Sequence, residues 1–425
     1  MTEAFLHYMW QHQLFDKNKL CTTEGLPIEI LKPGEYNSNA GPDFFSAHIR
    51  INHTLWVGTV EIHTKASEWK KHRHELDGAY DNCILHVVFE YDADVYRKNG
   101  EVIYCLELKS RFADTAWENY QALVGTQSWV PCSHRIREVD DLKLNFWLDL
   151  LAVERLKSKS DLILKMLMLN NNDWEETFYQ YLCAGFGFQI NSLPFLMLSR
   201  SIPFKLVQKH RERLSDLEAL FFGCAGFLGK VAKDTYSESL QKDFKHFSHA
   251  YSLKAIDDSC WKFLRLRPVN FPTVRLAQLA SVFSKNTNLF SQVLEISDFT
   301  SGKSFFNVQA SAYWDFHFML GKKASLLRKS LGIRSIESIF INAVIPVLFA
   351  YGLRNDSGLH RQRALDLLEE IEAEDNSVVR NWSKTGVVAS SALQSQALLE
   401  LKKNYCSEKK CLTCRIGIEL INKLP

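Results

Sequence analysis

Two carboxylates and a histidine near the start of the chain carry the clearest chemistry in the sequence. Asp43 follows a Gly-Pro turn just before one predicted strand, and Glu61 and His63 alternate along the next strand. Neighbouring strands place such residues at one edge of a sheet, so Asp43 and Glu61 are expected to converge. Two carboxylates at one point suit Mg²⁺ or Mn²⁺, which stabilises phosphate charge and lowers the pKa of an attacking water.

The elements around these residues predict an α/β arrangement. Residues 3–15 show the apolar spacing of a helix, and Ser67 is expected to cap a second helix that runs to about Ala79. Asn99-Gly100 is typical of a hairpin turn. Alternating or continuous apolar runs predict strands at residues 27–31, 45–52, 55–64 and 84–91. The order of helix, three strands, helix and strand predicts a domain with a central mixed sheet.

The character of the sequence changes at about Asp140. Beyond it, apolar residues recur three to four positions apart and few alternating runs intervene, which predicts a predominantly helical region. We therefore predict a mixed α+β protein, with an N-terminal α/β domain at residues 1–140 and a large helical domain at residues 141–425.

Composition narrows the class of protein. The chain has 425 residues, 46% of them hydrophobic, which argues against disorder, and its net charge of +2 offers nucleic acid little global attraction. The start of the chain lacks the pattern of a secretory signal, and the longest apolar run, residues 340–353, is interrupted by Asn342 and Pro346. A cytoplasmic protein without a membrane span is expected, and most of its ten cysteines are scattered as in a reduced core.

The spacing of the opening residues resembles the core of the PD-(D/E)XK nuclease superfamily. Pro42-Asp43 is followed after seventeen residues by Glu61-Ile62-His63, within an element order that is similar over roughly residues 1–92. The resemblance implies a metal-dependent nuclease that hydrolyses phosphodiester bonds, with Asp43 and Glu61 as metal ligands. His63 stands where that superfamily normally has Lys, so either His63 or Lys65, on the same strand face, would assist the attacking water.

Two other functions remain open. A noncatalytic scaffold that keeps the nuclease fold and binds nucleic acid or protein is favoured by the missing Lys. A zinc hydrolase is the other interpretation, with His63, His72 and His74 as ligands together with Asp77. Because His72 and His74 lie two positions apart near a helix, they would face one metal only if the backbone between them is irregular.

Basic residues predict two surfaces for nucleic acid. Their positively charged side chains can contact phosphates, and arginine binds them bidentately. The same arginines could instead fix a turn by bonding backbone carbonyl groups. The residues are Lys70, Lys71 and Arg73 beside the N-terminal site, and Arg265, Arg267 and Arg275 around a Pro-rich turn.

A cluster of cysteines ends the chain. Cys406, Cys411 and Cys414 include the CxxC spacing of metal sites and predict a C-terminal clasp for zinc or an iron–sulfur cluster. A fourth ligand is required, and Cys132 in VPCSHR is a distant candidate. The alternative is three reduced cysteines at the end of a helix.

Longer motifs point to a second resemblance. PGEYNSNAGPDF, GTVEIHTKASEW and RLRPVNFPTVRLAQLA resemble an uncharacterised bacterial family known only as a domain of unknown function, over nearly the full chain. This resemblance implies no activity.

Overall fold

The computed structural model describes residues 1–423, which form two compact units. The first unit contains Met1–Trp147 together with the segment that begins at Lys402, and the second contains Leu148–Leu401. The second unit is therefore an insertion between two parts of the first. The predicted division into independent domains at residue 140 stays a prediction.

One mixed sheet organises the first unit. In spatial order its strands are β1, β3, β4, β5 and β6, and β2 pairs with β3 outside this path. β3 runs antiparallel to β1 and β4, whereas β4, β5 and β6 are parallel. The bounds are β1 Ile28–Lys32, β2 Glu35–Tyr36, β3 Phe44–Ile51, β4 Thr54–Lys65, β5 Cys83–Glu90 and β6 Cys105–Glu107.

Apolar side chains cover both faces of this sheet. Leu6 and Trp10 of α1 (Glu3–Gln11) pack with Phe44 and Val87 in one core. Trp69, in the short helix α2 (Glu68–Lys71), belongs to a second core that also takes residues from β5. β5 is buried on both sides, as its unbroken apolar run predicts.

The segment after β4 differs from the predicted helix at residues 67–79. α2 lasts a single turn and is followed by two 3₁₀ turns, His74–Leu76 and Gly78–Tyr80. Arg73, between α2 and the first of these turns, has a φ of 62°, and a residue in this left-handed conformation ends a right-handed helix. The chain therefore folds back toward the sheet instead of continuing along a helix axis.

The rest of the chain is mostly helical. A helix at Asp114–Gly125 (α3) follows the sheet in the first unit. In the second unit, two short strands, His317–Met319 (β7) and Lys322–Lys323 (β8), form a hairpin. The helices from residue 141 onward are α4 Asp141–Leu169, α5 Trp174–Phe186, α6 Ser192–Ser201, α7 Phe204–His210, α8 Leu214–Cys224, α9 Thr235–Tyr251, α10 Pro272–Lys285, α11 Leu289–Leu294, α12 Phe299–Lys303, α13 Ile333–Ile339, α14 Ile345–Arg354, α15 Gly358–Glu370, α16 Ser377–Thr385, α17 Ala392–Glu400 and α18 Arg415–Ile421. The predicted mixed α+β class, a sheet followed by a helical region, is confirmed.

The final helix belongs to the first unit. α18 packs against α3, where Asn119 Nδ2 donates to the Ile421 carbonyl at 3.2 Å. Lys143 Nζ pairs with Glu419 at 2.7 Å, and Leu420 and Ile421 are buried. The first unit is therefore completed only by residues that follow the second unit in the sequence.

One helical stretch of the second unit has the length and apolarity of a membrane span. It covers Ile333–Arg354, where a π-helical segment, Phe340–Val344, joins α13 to α14. In its most apolar window, 72% is buried inside the protein. Core helices of soluble proteins have the same properties, so the stretch is weak evidence for a membrane span.

Candidate metal centre

Asp43 and Glu61 meet at the edge where β3 and β4 pair. Phe44 is opposite Val60, which places Asp43 beside Glu61. The Asp43 backbone N–H donates to Glu61 Oε2 at 3.1 Å, and the Ile62 N–H donates to Asp43 Oδ2 at 2.9 Å. Each carboxylate is therefore held by the backbone of the neighbouring strand.

A bulge in β3 lies next to Asp43 and affects the direction of its side chain. The pairing of β3 with β4 shifts between Phe44 and Ala47, and Ser46 in that interval has a φ of 54°. Bulges bend a strand and redirect its side chains, and they occur often beside active sites. Gly58 permits the close approach of β5 on the other side of β4, since a Cβ there would lie 2.5 Å from the Asn82 carbonyl oxygen.

His63 sits at the centre of a row of three imidazoles. Its Nδ1 lies 2.8 Å from His86 Nε2, and its Nε2 lies 3.0 Å from His72 Nδ1. His63 and His86 are both buried, whereas His72 is exposed. With its proton on Nδ1, His63 donates to His86 and presents the Nε2 lone pair toward His72.

His74 joins this row because of the irregular backbone at Arg73. The left-handed turn brings His74 back over the sheet, where its ring stacks on Tyr80 at 3.9 Å between centroids. His74 Nε2 lies 3.3 Å from Glu61 Oε1, without the direction of a hydrogen bond, and this buried nitrogen has no hydrogen-bond partner. The backbone irregularity that a shared His72 and His74 site requires is present.

Four potential ligand atoms therefore face one point. Nitrogens of His63, His72 and His74 all lie within 4.8 Å of one another, and Glu61 Oε1 is 3.7 Å from His63 Nε2. Two ligands on one tetrahedral zinc ion, each about 2.0–2.1 Å from the metal, are separated by roughly 3.3 Å. The arrangement has the donor types and the spacing of a site for a single transition-metal ion.

Burial keeps the central imidazoles neutral. Burial, together with the neighbouring His74 and His72, lowers the pKa of His63 to about 4. Burial also lowers the pKa of His86, with His63 adding to the effect. Burial raises the pKa of Glu61, and the interaction with His74 opposes this rise. Neutral imidazoles have a free lone pair, which is the form that binds metals.

Helix α1 supplies two further groups that the sequence reading missed. His7 Nε2 lies 3.1 Å from Asp43 Oδ2 and has no hydrogen bond. Burial raises the pKa of Glu3, and the nearby Glu68 raises it further. Glu3 and His7 stand one helical turn apart, so the signal in the sequence was a polar pair on one face of an otherwise apolar helix.

Lys65 and Glu68 flank the centre. Glu68 Oε2 accepts from the Thr64 hydroxyl at 2.6 Å and from the Lys65 backbone N–H at 3.0 Å, which fixes the end of β4. The Lys65 ammonium is 55% exposed and lies 3.8 Å from Glu90 Oε2. The structure thus brings together Asp43, Glu61 and His63, and directs the Lys65 side chain toward Glu90.

The predicted phosphate-binding residues differ in exposure. Lys70, Lys71 and Arg73 are exposed and flank His72 in the sequence. In the second unit, Arg265 and Arg267 are exposed, whereas Arg275 is only 5% exposed. The guanidinium of Arg275 donates to Gln278, Asn270 and Ser335.

The three predicted metal-binding cysteines share one cavity of the first unit. Cys406, Cys411 and Cys414 line it, and Cys132 joins them from the loop after α3. From the sequence, Cys132 was only a distant candidate for the fourth ligand, because 273 residues separate it from the next cysteine of the cavity.

Comparison with known proteins identifies the family. No curated protein and no solved structure matches the chain, so the nuclease resemblance stays a prediction. A family model described as protein of unknown function, DUF2851, matches residues 3–377, which include every residue of the carboxylate and histidine centre. The chain belongs to the DUF2851 family.

Proposed function

We propose that the first unit is a metal-dependent hydrolase that cleaves phosphodiester bonds in nucleic acid. The observation that carries this proposal is the convergence of Glu61, His63, His72 and His74 on one point, beside Asp43. The sequence suggested either Mg²⁺ or Mn²⁺ on two carboxylates, or zinc on histidines. The geometry supports a combined centre of carboxylates and imidazoles.

The donor atoms favour a transition metal over Mg²⁺. Imidazole nitrogen suits Zn²⁺ and Fe²⁺, Mn²⁺ is bound well by carboxylate oxygen, and Mg²⁺ prefers oxygen ligands in octahedral geometry. Three of the four converging ligands are imidazoles. A transition metal bound here would lower the pKa of a bound water toward neutrality and polarise a phosphoryl oxygen.

Side chains of the protein have distinct roles in the proposed reaction. With a pKa of about 4, His63 is a weak base at neutral pH, so we assign it to binding the metal rather than to taking a proton. Asp43 is 20% exposed, compared with 6% for Glu61, and it is the carboxylate that a solvent molecule reaches. We assign Asp43, supported by His7, to orienting the attacking water.

The substrate class rests on two features. The element order and the Pro42-Asp43 and Glu61-Ile62-His63 motifs are similar to those of PD-(D/E)XK nucleases, whose substrates are nucleic acids. Lys70, Lys71 and Arg73 are exposed next to His72, where they can contact phosphates. Lys65, held toward Glu90, has no assigned part in the chemistry.

Metal-free protein should be assayed on DNA and RNA after addition of Zn²⁺, Mn²⁺ or Mg²⁺. We expect cleavage with Mn²⁺ or Zn²⁺, reduced at least about a hundredfold in Glu61→Gln and in His74→Ala, because about 3 kcal/mol of transition-state stabilisation is lost with the metal. The matched controls are Glu29→Gln, which changes an exposed residue of the same sheet, and His53→Ala, which changes an exposed residue of the turn between β3 and β4.

Three outcomes would contradict the proposal. The metal centre is wrong if the wild-type protein binds none of these metals, or if Glu61→Gln cleaves as fast as Glu29→Gln. The substrate assignment is wrong if the metal-loaded protein binds nucleic acid without cleaving it, as a noncatalytic scaffold would. His63→Gln, which replaces a buried ligand, should be checked for folding by circular dichroism before its activity is interpreted.

A further inference from the structure

Four cysteines from distant parts of the sequence line one small cavity of the first unit. Cys132 follows α3, Cys406 ends a π-helical segment that begins at Leu401, and Cys411 and Cys414 lie in the loop before α18. All four are free thiols, and three of them are buried. Their meeting supplies the fourth sulfur that the spacing of the last three cysteines lacks.

We propose that Cys132, Cys406, Cys411 and Cys414 bind an iron–sulfur cluster. Four cysteine thiolates are the usual ligand set of such clusters. The site is separate from the carboxylate and histidine centre and does not depend on the hydrolytic function proposed for it. The cavity brings the last part of the first unit against residues near the end of its N-terminal part.

The spacing of the sulfurs favours a cluster over a single ion. On one zinc ion, with Zn–S distances of about 2.3 Å, tetrahedral geometry separates the sulfurs by roughly 3.8 Å. Within residues 1–423, the only group of three or more potential ligands that all lie within 4.8 Å of one another is the histidine trio. No three of the four thiols are that close, and an iron–sulfur cluster spreads its thiolates over several iron atoms.

Burial and the neighbouring thiols both affect the protonation of the cavity cysteines. Burial raises the pKa of Cys132 to about 12, and the neighbouring Cys414 and Cys411 raise it further. Burial likewise raises the pKa of Cys411 to about 12, with Cys414 adding to it and Lys409 opposing it. Burial therefore holds these thiols in the neutral form, and a bound metal would displace their protons.

N–H groups near Cys414 oppose the effect of burial on its pKa. The backbone N–H groups of Gly417 and Ile416 and the indole of Trp147 all favour its charged form, against the larger effect of burial. The Trp147 indole nitrogen is buried and has no hydrogen-bond partner, in a side chain that is only 7% exposed. N–H groups directed at the sulfurs of an iron–sulfur cluster tune its reduction potential.

A glycine makes the close packing of this loop possible. A Cβ at Gly417 would lie 2.1 Å from the Cys411 carbonyl oxygen, which is closer than any side chain tolerates. Lys402 and Lys409 near the cavity also favour the thiolate forms of Cys406 and Cys411. Positive side chains of this kind suit a cluster that carries net negative charge.

The experiment compares the full-length protein, purified without oxygen, with single cysteine variants. We expect iron and acid-labile sulfide in equal amounts, with visible charge-transfer absorption, in the wild-type protein. Cys132→Ser should lose most of both. Cys21→Ser and Cys260→Ser, which change half-buried cysteines outside the cavity, should keep wild-type amounts of both.

Each other result would overturn the assignment. One zinc ion per chain without sulfide would replace the cluster by a single-ion site. A disulfide among these cysteines without iron would exclude metal binding, and full iron content in Cys132→Ser would exclude Cys132 as a ligand. Mössbauer spectra of the wild-type protein report the sulfur coordination of iron directly, so the test does not depend on the folding of any variant.

Discussion

The two units bury their polar side chains in different ways. In the second unit, the buried charge of Arg275 has neutral partners of its own, because its guanidinium donates to Gln278, Asn270 and Ser335. In the first unit, buried groups of the same type face one another, as His63 and His86 do on neighbouring strands. Buried polar groups that have hydrogen-bond partners need no further ligand. Several potential metal ligands that face one point instead favour the binding of a cation.

Lys159 shows the same arrangement in the second unit. Its ammonium donates to the Ile341 carbonyl at 3.2 Å, to Asn342 at 3.1 Å and to Gln396 at 3.0 Å. These acceptors are neutral oxygens, so the ammonium has partners and the site calls for no ligand. Buried charge by itself is therefore a poor guide to a functional site, and the type of the neighbouring group is a better one.

The largest expected effect tests the converging groups of the first unit. Glu61→Gln should weaken the binding of Zn²⁺ or Mn²⁺ by about a hundredfold or more, because the neutral amide loses the charge that faces the metal. Isothermal titration calorimetry on the metal-free protein measures the change. Arg275→Met is the comparison variant from the second unit and should bind metal as the wild type does.

Arg275→Met should instead reduce stability. We expect the free energy of unfolding to fall by about 2–3 kcal/mol, because the partner groups Asn270, Gln278 and Ser335 each lose a charged donor. Urea unfolding followed by circular dichroism gives the value. Unchanged stability together with lost nucleic-acid binding would mark Arg275 as a binding residue and break the distinction between the units.

The smallest effect concerns the pH dependence of stability. Burial, with the nearby Arg155 adding to it, lowers the pKa of Lys159 to about 7. Between pH 7 and its ordinary value of 10.5, the unfolded chain holds more protons on this residue than the folded chain does. The contribution of Lys159 to stability must therefore rise with pH across this window.

Lys159→Met removes this contribution. The gain in stability from pH 7 to pH 9 should be about 1–2 kcal/mol smaller in Lys159→Met than in the wild-type protein. Urea unfolding at both pH values measures the difference. A parallel pH dependence in the two proteins would show that Lys159 is charged throughout, and Lys157→Met, which changes an exposed lysine of the same helix, serves as the control.

The sequence predicts the strands and the convergence of Asp43 with Glu61, because a two-residue period fixes which side chains share a face. It does not predict how His72 and His74 reach one point, since that depends on the left-handed φ of Arg73, a conformation that arginine rarely adopts. The predicted hairpin at Asn99-Gly100 is reduced to one bridge, Tyr96 with Val102, because β6 pairs in parallel with β5 instead.

Contacts between residues far apart in the sequence were the other feature that the sequence did not predict. His7 reaches Asp43 only because α1 packs on β4, and nothing in the local sequence states that packing. Cys132 joins three cysteines that follow it by more than 270 residues. Periodicity describes what a segment buries, whereas the partner across the sheet or across the chain is set by the assembled fold.

The insertion of the second unit has a consequence for synthesis of the protein. About 250 residues separate the two parts of the first unit, and at 5–20 residues per second the ribosome needs roughly 10–50 s to make them. During that interval the surface of α3 that receives α18 stays uncovered, and three of the four cavity cysteines do not yet exist. The first unit is therefore complete only after the second unit has been synthesised and α18 has followed it.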